Sequence, residues 1–534
     1  MSDVATTLGT PLFPDGYRAA GLLLHITSLP SPYGIGDLGP AAFTWIDRLR
    51  EAEQSWWQAL PLGPTGYGNS PYQSPSSFVG NGLVISPEFL IDDGLLNEED
   101  CQGVFSSGAV DYDTAIPYKH RLLDKAWTNF RAGARKDLVA PYEQFCHSRS
   151  SWLDEYALFR ALKEKFSSSS YLEWPKELVQ RTPSALTQAR RELAAEIDKL
   201  RLAQFLLFRQ ALRLKEYART HGVRLIGDLP FFVSPDSSDV WANPELFLLD
   251  NQQRPRFVAG VPPDYFSARG QLWGNPVYDW KAHEATGYAW CIDRIRALLM
   301  HVDVIRLDHF RAFAAAWHVP QGALTAETGE WVPGPGAKFF NAVQKAFGKL
   351  PFIAEDLGVL TPDVLALRDE FRLPGTKVLQ FAFDGNPDNV HLPENYTPNN
   401  VVYTGTHDNA TSREWFEDLT DREQRRFWAN TGRAEGEIRD AAPELIRLAW
   451  SSRATLAITP LQDVLNLGRE GRMNVPGEPE GNWRWRAMPH MLSPRTFESL
   501  AKVTTSSGRL PSVQSQRGQM TKATQLLSNL GQSI

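Results

Sequence analysis

Acidic residues stand at the ends of three short apolar runs of this chain. Arg306 and Asp308 lie in "DVIRLDHF", Glu355 lies in "IAEDLG", and His407 with Asp408 lies in "TGTHDN". Residues two apart on a strand share a face, so the side chains of Arg306 and Asp308 should point the same way. Two carboxylates that flank a glycosidic bond can cleave it, one attacking the anomeric carbon and the other exchanging a proton with the bridging oxygen. The three runs therefore suggest glycoside chemistry if they end at one place.

Each of these groups also has a purely structural interpretation. Arg306 with Asp308 could be only a buried ion pair. Glu355 with Asp356 could be a solvated acidic pair at a helix start, and His407 could be a core histidine satisfied by the protein. The convergence of independent strand ends favours the catalytic interpretation. No two histidines fall at ligand spacing on one element, so the sequence predicts no metal site.

The elements that must position these groups are short β-branched or apolar runs separated by helical patterns, an alternation typical of a parallel sheet with crossover helices. Several runs finish on polar or charged residues, as they do in a (β/α)8 barrel, whose chemistry lies at the C-terminal strand ends. The predicted fold is therefore an α/β (β/α)8 barrel. The eight runs cover residues 19–29, 55–64, 223–233, 302–310, 351–358, 376–383, 400–408 and 455–465.

Uneven spacing between the runs predicts insertions into a single catalytic barrel domain, residues 19–505. We expect a mainly helical insertion at 66–200, with helical stretches near 117–132 and 140–166; a third, 185–221, stops at Gly222 and should lead into strand three. A second insertion, 234–290, is rich in Pro, Gly, Trp and Tyr and shows little periodicity, as functional loops and lids do. The polar tail 506–534 is expected to be flexible.

Composition excludes several classes of function. The 534 residues carry a formal net charge of -7 and show no basic run, so we expect no nucleic-acid partner. Three dispersed cysteines suggest neither disulfides nor zinc and favour the reducing cytoplasm. The apolar stretch near residues 19–26 is too short to span a bilayer, and no signal peptide is evident. The sequence makes no prediction of oligomeric state.

Long stretches of the chain resemble the 4-alpha-glucanotransferases of the amylomaltase, or disproportionating-enzyme, family, which are relatives of the α-amylases. The similarity covers roughly residues 20 to 490. It is carried by "GLLLHITSLPSPYGIGDLG", "NSPYQSPSSF", "GDLPFFVSPDSSDVWANPELF", "VAGVPPDYFSARGQLWGNPVYDW", "IRLDHFRAF", "IAEDLG", "LPGTKVLQFAF", "YTGTHDN" and "RMNVPGEPEGNWRWR".

The resemblance implies a retaining transferase that moves α-1,4-linked segments between malto-oligosaccharides and α-1,4-glucans. It implies a (β/α)8 barrel with insertions and no separate C-terminal β domain, and no cofactor. Asp308 would be the nucleophile, Glu355 the acid/base and Asp408 the transition-state stabiliser. The implied substrate-binding residues are Arg306, His407, Tyr72, Asp228, Tyr265, Phe266, Trp273, His309 and Asn474.

The chain departs from the family pattern at Ile26, Ala312 and Ala410, where the family usually has proline, glycine and aspartate. None of these changes removes a catalytic group, but each could alter the fine geometry of a sugar subsite and with it the preferred chain length.

Transfer also requires that water be kept from a covalent intermediate. The segment "GVPPDYFSARGQLWG", residues 260–274, is stiffened by prolines and flanked by glycines, and it carries Tyr265, Phe266 and Trp273. We expect it to act as a lid, with Tyr72 as a further stacking residue. Two alternatives remain open at this point. An α-amylase-like hydrolase would share the three carboxylates, and a non-catalytic glucan-binding protein could keep the fold without needing Glu355 as an acid.

Overall fold

A closed barrel of eight parallel strands forms the centre of the molecule in the computed structural model, which describes residues 11–263 and 267–510. The strands of these residues are β1 (Ala19–Leu23), β2 (Trp56–Gln58), β3 (Arg224–Leu229), β4 (Phe257–Val261), β5 (Gln271–Pro276), β6 (Val304–Leu307), β7 (Ala315–Pro320), β8 (Glu330–Pro333), β9 (Phe352–Ala354), β10 (Gly375–Val378), β11 (Asn400–Tyr403) and β12 (Leu456–Pro460). The barrel order is β1, β2, β3, β6, β9, β10, β11, β12, and β12 closes on β1. The predicted barrel is confirmed: seven of these eight strands lie within the apolar runs, and β10 begins one residue before its run.

The strands are short and almost wholly buried, as expected of a parallel sheet covered on both faces. Every residue of β1, β11 and β12 is buried. The α-helices are α1 (Pro40–Glu51), α2 (Pro87–Asp92), α3 (Tyr112–Arg131), α4 (Val139–Ser148), α5 (Ser150–Lys165), α6 (Lys176–Val179), α7 (Pro183–Glu192), α8 (Ala194–Thr220), α9 (Ser238–Ala242), α10 (Trp280–Ala285), α11 (Ala289–Leu299), α12 (Gly336–Phe347), α13 (Pro362–Glu370), α14 (Ser412–Glu417), α15 (Asp421–Asn430), α16 (Ala441–Ser451), α17 (Leu461–Val464) and α18 (Pro494–Ser506).

Helices α2 to α7 fill most of the interval between β2 and β3, where the sequence predicted a helical insertion. Two of the predicted helices are each divided in two. The stretch 140–166 breaks at Arg149 (φ -124°, ψ 12°), and the stretch 185–221 breaks at Leu193 (φ -106°, ψ 24°). Helix α8 leads into β3 as expected, and Gly222 follows it in the left-handed region, with φ 75°.

The interval 234–290 contains regular structure that the sequence did not predict. Its strands β4 and β5 join β7 and β8 in a four-stranded antiparallel sheet of order β5-β4-β7-β8. Prolines and glycines interrupt these strands, and the partners of β4 lie both inside the interval and more than fifty residues away. Local periodicity therefore carried little sign of them.

The C-terminal part of the described chain is packed against the barrel and forms no strand after β12. Helix α18 ends at Ser506, and Arg509 beyond it is fully buried. Its guanidinium donates to backbone carbonyls at the N-terminal ends of β1 and β12 and at the end of α16. The start of the expected flexible tail at 506 therefore does not match the structure, because Arg509 is anchored in the protein interior. The rest of that prediction, 511–534, lies outside the described residues.

Among the described residues, no helix combines the length and apolar character required to cross a bilayer. The same part of the chain shows no grouping of His, Cys, Asp and Glu side chains suited to holding a metal ion.

Candidate active site

A buried arginine links the ends of two adjacent barrel strands. Asp228 on β3 and Arg306 on β6 are register partners. Nη1 of Arg306 lies 2.9 and 2.8 Å from the two carboxylate oxygens of Asp228. Both side chains are almost inaccessible to solvent. Burial by itself would lower the pKa of Arg306, but the charges of Asp228 and Asp308 outweigh it and raise the pKa. Arg306 therefore remains cationic at the base of the site.

Asp308 lies just past the end of β6 on the same side as Arg306, as the sequence predicted. Its Oδ1 accepts a hydrogen bond from Nη1 of Arg306 at 2.9 Å, and its backbone N–H donates to the carbonyl of Leu229. The side chain is 27% exposed. The same guanidinium thus pairs with a buried aspartate on one strand and a partly exposed aspartate on the next.

Glu355 immediately follows β9, and its side chain is hydrogen-bonded to the backbone of the residue that follows Asp308. Its Oε2 accepts a hydrogen bond from the N–H of His309 at 2.8 Å. His309 has φ 51° and ψ 51°, and this left-handed turn directs the chain after Asp308 past Glu355. Burial raises the pKa of Glu355 to about 8, and the charge of Asp308 adds to this against the opposing attraction of Arg306. At neutral pH the carboxyl is therefore largely protonated.

Asp408 comes from the loop after β11 and has both oxygens engaged. Nδ2 of Asn474 donates to Oδ1 at 2.7 Å, and Nε2 of His407 lies 3.3 Å from Oδ2. The side chain is nonetheless 47% exposed. The surrounding protein alone would raise the pKa of this carboxyl, but His407 and the hydrogen bonds from His407 and Asn474 lower it to about 2. Asp408 is consequently a fixed negative charge open to solvent.

Tyr72 connects the Asp408 side of the site with the Asp228 side. Its hydroxyl donates to Oδ2 of Asp228 at 2.8 Å and lies 2.8 Å from Nε2 of His407. Since the single proton of the hydroxyl goes to Asp228, its oxygen faces Nε2 of His407 as an acceptor, and the same Nε2 also faces Oδ2 of Asp408. The two rings are stacked, with centroids 5.3 Å apart and planes 13° apart. Sequence analysis gave Tyr72 only a stacking role and did not anticipate this hydrogen-bonded bridge.

Trp273 joins the antiparallel sheet to the catalytic end of the barrel. It lies on β5, and its ring meets that of His309 edge to face, with centroids 4.8 Å apart. Burial lowers the pKa of His309 to about 4, so this imidazole is neutral at pH 7. Tyr265 and Phe266, which the sequence also placed in the site, lie outside the described residues.

Asp356, the neighbour of Glu355, does not belong to the site. Its carboxylate pairs with Arg368 at 2.6 Å and accepts from the backbone N–H of Thr376 at 2.6 Å. Consecutive strand residues point to opposite faces, so the two acids of "AED" diverge, one into the site and one toward α13.

One residue next to the site was not singled out by sequence analysis. Trp483, in the left-handed region with φ 62°, is buried with its ring centroid 5.8 Å from that of Tyr72 and 6.0 Å from that of His407. It lies in the stretch "GNWRWR", whose similarity to the family was the one available signal.

Comparison with known proteins identifies the family of this chain. The family model for 4-alpha-glucanotransferase matches residues 24–491. The 4-alpha-glucanotransferase of Synechocystis sp. is 49% identical over 497 residues, covering 92% of this chain and 98% of that protein. The enzyme of Thermus thermophilus is 46% identical over 498 residues, covering 92% and 99%.

A solved structure gives the same result. The amylomaltase from Streptococcus agalactiae in complex with acarbose superposes with a TM-score of 0.89 at 36% identity, covering 92% of this chain and 99% of that chain. The resemblance drawn from the sequence motifs is therefore confirmed. The chain belongs to the 4-alpha-glucanotransferase family.

Proposed function

We propose that this transferase works by double displacement with retention, using Asp308 as nucleophile and Glu355 as acid/base. The observation that carries the proposal is the contrast between two neighbouring carboxyls. Asp308 is paired with a buried guanidinium, whereas Glu355, held by the N–H of the residue after Asp308, has a pKa raised to about 8. One group is suited to attack and the other to donate a proton.

In the first step, a carboxylate oxygen of Asp308 forms a bond to the anomeric carbon as the glycosidic bond breaks, and Glu355 transfers its proton to the departing 4-oxygen. In the second step, ionised Glu355 takes the proton of an acceptor 4-hydroxyl, whose oxygen attacks the anomeric carbon and displaces Asp308. Both carboxyls return to their starting protonation state. Apart from the donor and acceptor sugars, the two steps use only these carboxyls, because each proton released is returned.

We assign Asp408 the role of holding sugar hydroxyls as charge develops at the anomeric carbon. Its low pKa, its exposure and its fixation by Asn474 and His407 support this role. Arg306 and Asp228 organise the base of the subsite, and Tyr72, His407, Trp273 and His309 supply its walls.

The substrates we propose are malto-oligosaccharides and longer α-1,4-glucans, and the acarbose bound to the Streptococcus agalactiae relative supports a saccharide cleft. Incubation with maltotriose should give glucose together with products longer than maltotriose. A product pattern of only glucose and maltose would instead support the alternative, an α-1,4-glucan hydrolase.

The covalent step can be tested directly. A 5-fluoro-α-glucosyl fluoride should add the mass of one fluoroglucosyl group to the protein, on the peptide that contains Asp308. The Asp308→Asn variant is the matched control and should remain unlabelled. Labelling of a different carboxylate would overturn the assignment of the nucleophile.

We further propose that the segment 260–274 acts as a lid that keeps water from the intermediate during transfer. Trp273 near its end contacts His309, which supports the placement. Replacing Tyr265 and Phe266 with alanine should increase hydrolysis relative to transfer in maltotriose digests. An unchanged ratio would remove the reason for a lid.

For location, we propose the cytoplasm. The three cysteines are all free thiols, and Cys101 and Cys291 are buried, as suits a reducing compartment. The acidic net charge gives no reason to expect a nucleic-acid partner.

A further inference from the structure

Asn474, which holds Asp408, lies on a stretch of chain without regular secondary structure. Residues 472–476 follow β12 and α17 and belong to neither helix nor strand. The amide of Asn474 can keep its 2.7 Å contact with Asp408 only if the backbone of Asn474 is itself fixed. A misplacement of about 1 Å in a catalytic group can cost about 100-fold in rate. Whatever fixes this backbone therefore matters to the reaction.

Arg472 makes that attachment. Its Nε donates to the backbone carbonyl of Asn474 at 3.2 Å, and its Nη1 lies 3.2 Å from Oε1 of Glu414. Glu414 is on α14, six residues after Asp408, and its side chain is only 1% exposed. A planar guanidinium carries donors on separate nitrogens and can contact the carboxylate and the carbonyl together in fixed directions. The donors of an ammonium all lie on one nitrogen at the end of a flexible chain.

A structural interpretation of Arg472 is that it only neutralises a buried carboxylate. Glu414, however, has a second cation available, because Nε of the largely exposed Arg469 lies 3.4 Å from the same Oε1. Among the described residues, Arg469 pairs with Glu414 and Asp418 and makes no hydrogen bond to Asn474. The two arginines thus share the neutralising role, and Arg472 alone reaches the residue that holds Asp408.

The same region joins two barrel loops. Thr411 caps the N-terminus of α14 and donates from Oγ1 to the carbonyl of Gly468 at 3.2 Å. The loop after β11, which carries Asp408, is therefore tied to the segment after β12, which carries Asn474. Glu414 and Arg472 lie between these loops, so α14 provides a rigid support for the contact.

We propose that Arg472, held by Glu414, is a positioning residue that fixes Asn474 and through it Asp408. The inference rests on the proposed role of Asp408 in the reaction. It concerns the arginine of "RMNVPG", which the catalytic and sugar-binding assignments leave without a role. Asp408 acts on the transition state, so the loss of its support should lower kcat more than it changes KM.

The test compares Arg472→Lys, Asn474→Ala and the double variant in disproportionation of maltotriose. Arg472→Lys should lower kcat by about 10- to 100-fold with KM changed by less than about 3-fold. The double variant should be no slower than Asn474→Ala, because both changes act along one path. Arg469→Lys, which alters the other cation on Glu414, is the matched control and should keep wild-type kcat.

Three outcomes would overturn the inference: wild-type kcat in Arg472→Lys, losses that multiply in the double variant, or a deficit that disappears once rates are normalised to the folded fraction measured by circular dichroism. Asp408→Asn separates the two proposals. An inactive Asp408→Asn beside a fully active Arg472→Lys rejects only the positioning role. A fully active Asp408→Asn rejects the role of Asp408 and the inference together.

Discussion

Glu355 and Asp308 are chemically similar but differ in what surrounds them. Asp308 shares the guanidinium of Arg306, while the nearest hydrogen-bond donor to Glu355 is a neutral backbone N–H, that of His309. Burial next to another carboxylate disfavours a second negative charge, which is why the pKa of Glu355 is high. At the scale of single residues, the proposed division of labour thus follows from the burial of Glu355 and from the hydrogen bond between Asp308 and Arg306.

Replacing Glu355 with glutamine should reduce kcat by about 10²- to 10⁴-fold, because the amide keeps the shape of the side chain but supplies no acidic proton. Binding of acarbose, measured by calorimetry on the same variant, should change little. The exposed Glu370→Gln on α13 is a matched control with expected wild-type turnover. Near-normal turnover in Glu355→Gln would reject this residue as the acid.

The raised pKa of Glu355 also predicts a pH dependence. In the free enzyme, kcat/KM should fall as pH rises through about 8, when the acid loses its proton.

The raised pKa of Glu355 also makes the stability of the fold fall as pH rises over a defined range. The unfolded carboxyl has an ordinary pKa of about 4.5, so between that pH and about 8 the folded state binds more protons than the unfolded state. The contribution of Glu355 to the free energy of unfolding is fully present below about pH 4.5 and is lost as pH rises to about 8. Compared with wild type, Glu355→Gln should therefore gain in Tm from pH 5 to pH 8.5. A constant difference in Tm would mean that the pKa is not raised.

Among the elements, β3 and β6 are joined by more than their backbone ladder. The buried pair of Asp228 and Arg306 lies at the register point where both strands approach the site. Removing one partner of a buried pair leaves an uncompensated charge, which costs more than the pair itself contributes.

Asp228→Ala should accordingly lower the free energy of unfolding, measured by urea denaturation, by about 3–5 kcal/mol. The reason is that the buried Arg306 would lose the ion pair with Asp228 and keep the ion pair with Asp308. Asp228→Asn keeps one acceptor oxygen, which can still accept from Arg306 and Tyr72, and should lose less. Asp369→Ala, which removes an exposed partner of Arg368, is the surface control, with an expected change below about 1 kcal/mol. Equal losses in Asp228→Ala and Asp369→Ala would contradict a special role for the strand pair.

For the whole molecule, the two ends of the barrel have separate tasks. The proposed catalytic groups lie at the C-terminal strand ends, whereas Arg509 closes the opposite end by donating to carbonyls of Ala19, Ala454 and Trp450. A barrel usually keeps residues that stabilise the fold at this second end.

Arg509→Met should therefore lower the urea midpoint and reduce the free energy of unfolding by at least about 3 kcal/mol. Several buried carbonyls would lose a charged donor at once. The kcat of the folded enzyme at 25 °C should not change. Arg495→Met, at an exposed position of α18, is the matched control for a long side chain on the same segment. A fall in kcat without a fall in stability would contradict the separation of the two ends.

The sequence by itself determined the barrel, and it indicated which side chains we propose as the reacting groups. Runs such as "VDVIRLDHF" and "NVVYTGTHD" carry enough local apolar character to be identified as strands, and the strand period places Asp308 on the side of Arg306. Motif similarity extended this to the family and to the proposed chemistry, because the residues of each motif lie within a few positions of one another along the chain.

Only the tertiary structure decided how these groups are paired and charged. Arg306 pairs with Asp228 across 78 positions of the chain, and Tyr72 bridges Asp228 and His407 across 156 and 335 positions. Burial in the folded protein raises the pKa of Glu355 to about 8. The antiparallel sheet was missed for the same reason, since its strands are defined by distant partners. Local patterns report which residues face inward, but hydrogen bonds, burial and electrostatic coupling depend on neighbours that folding alone brings together.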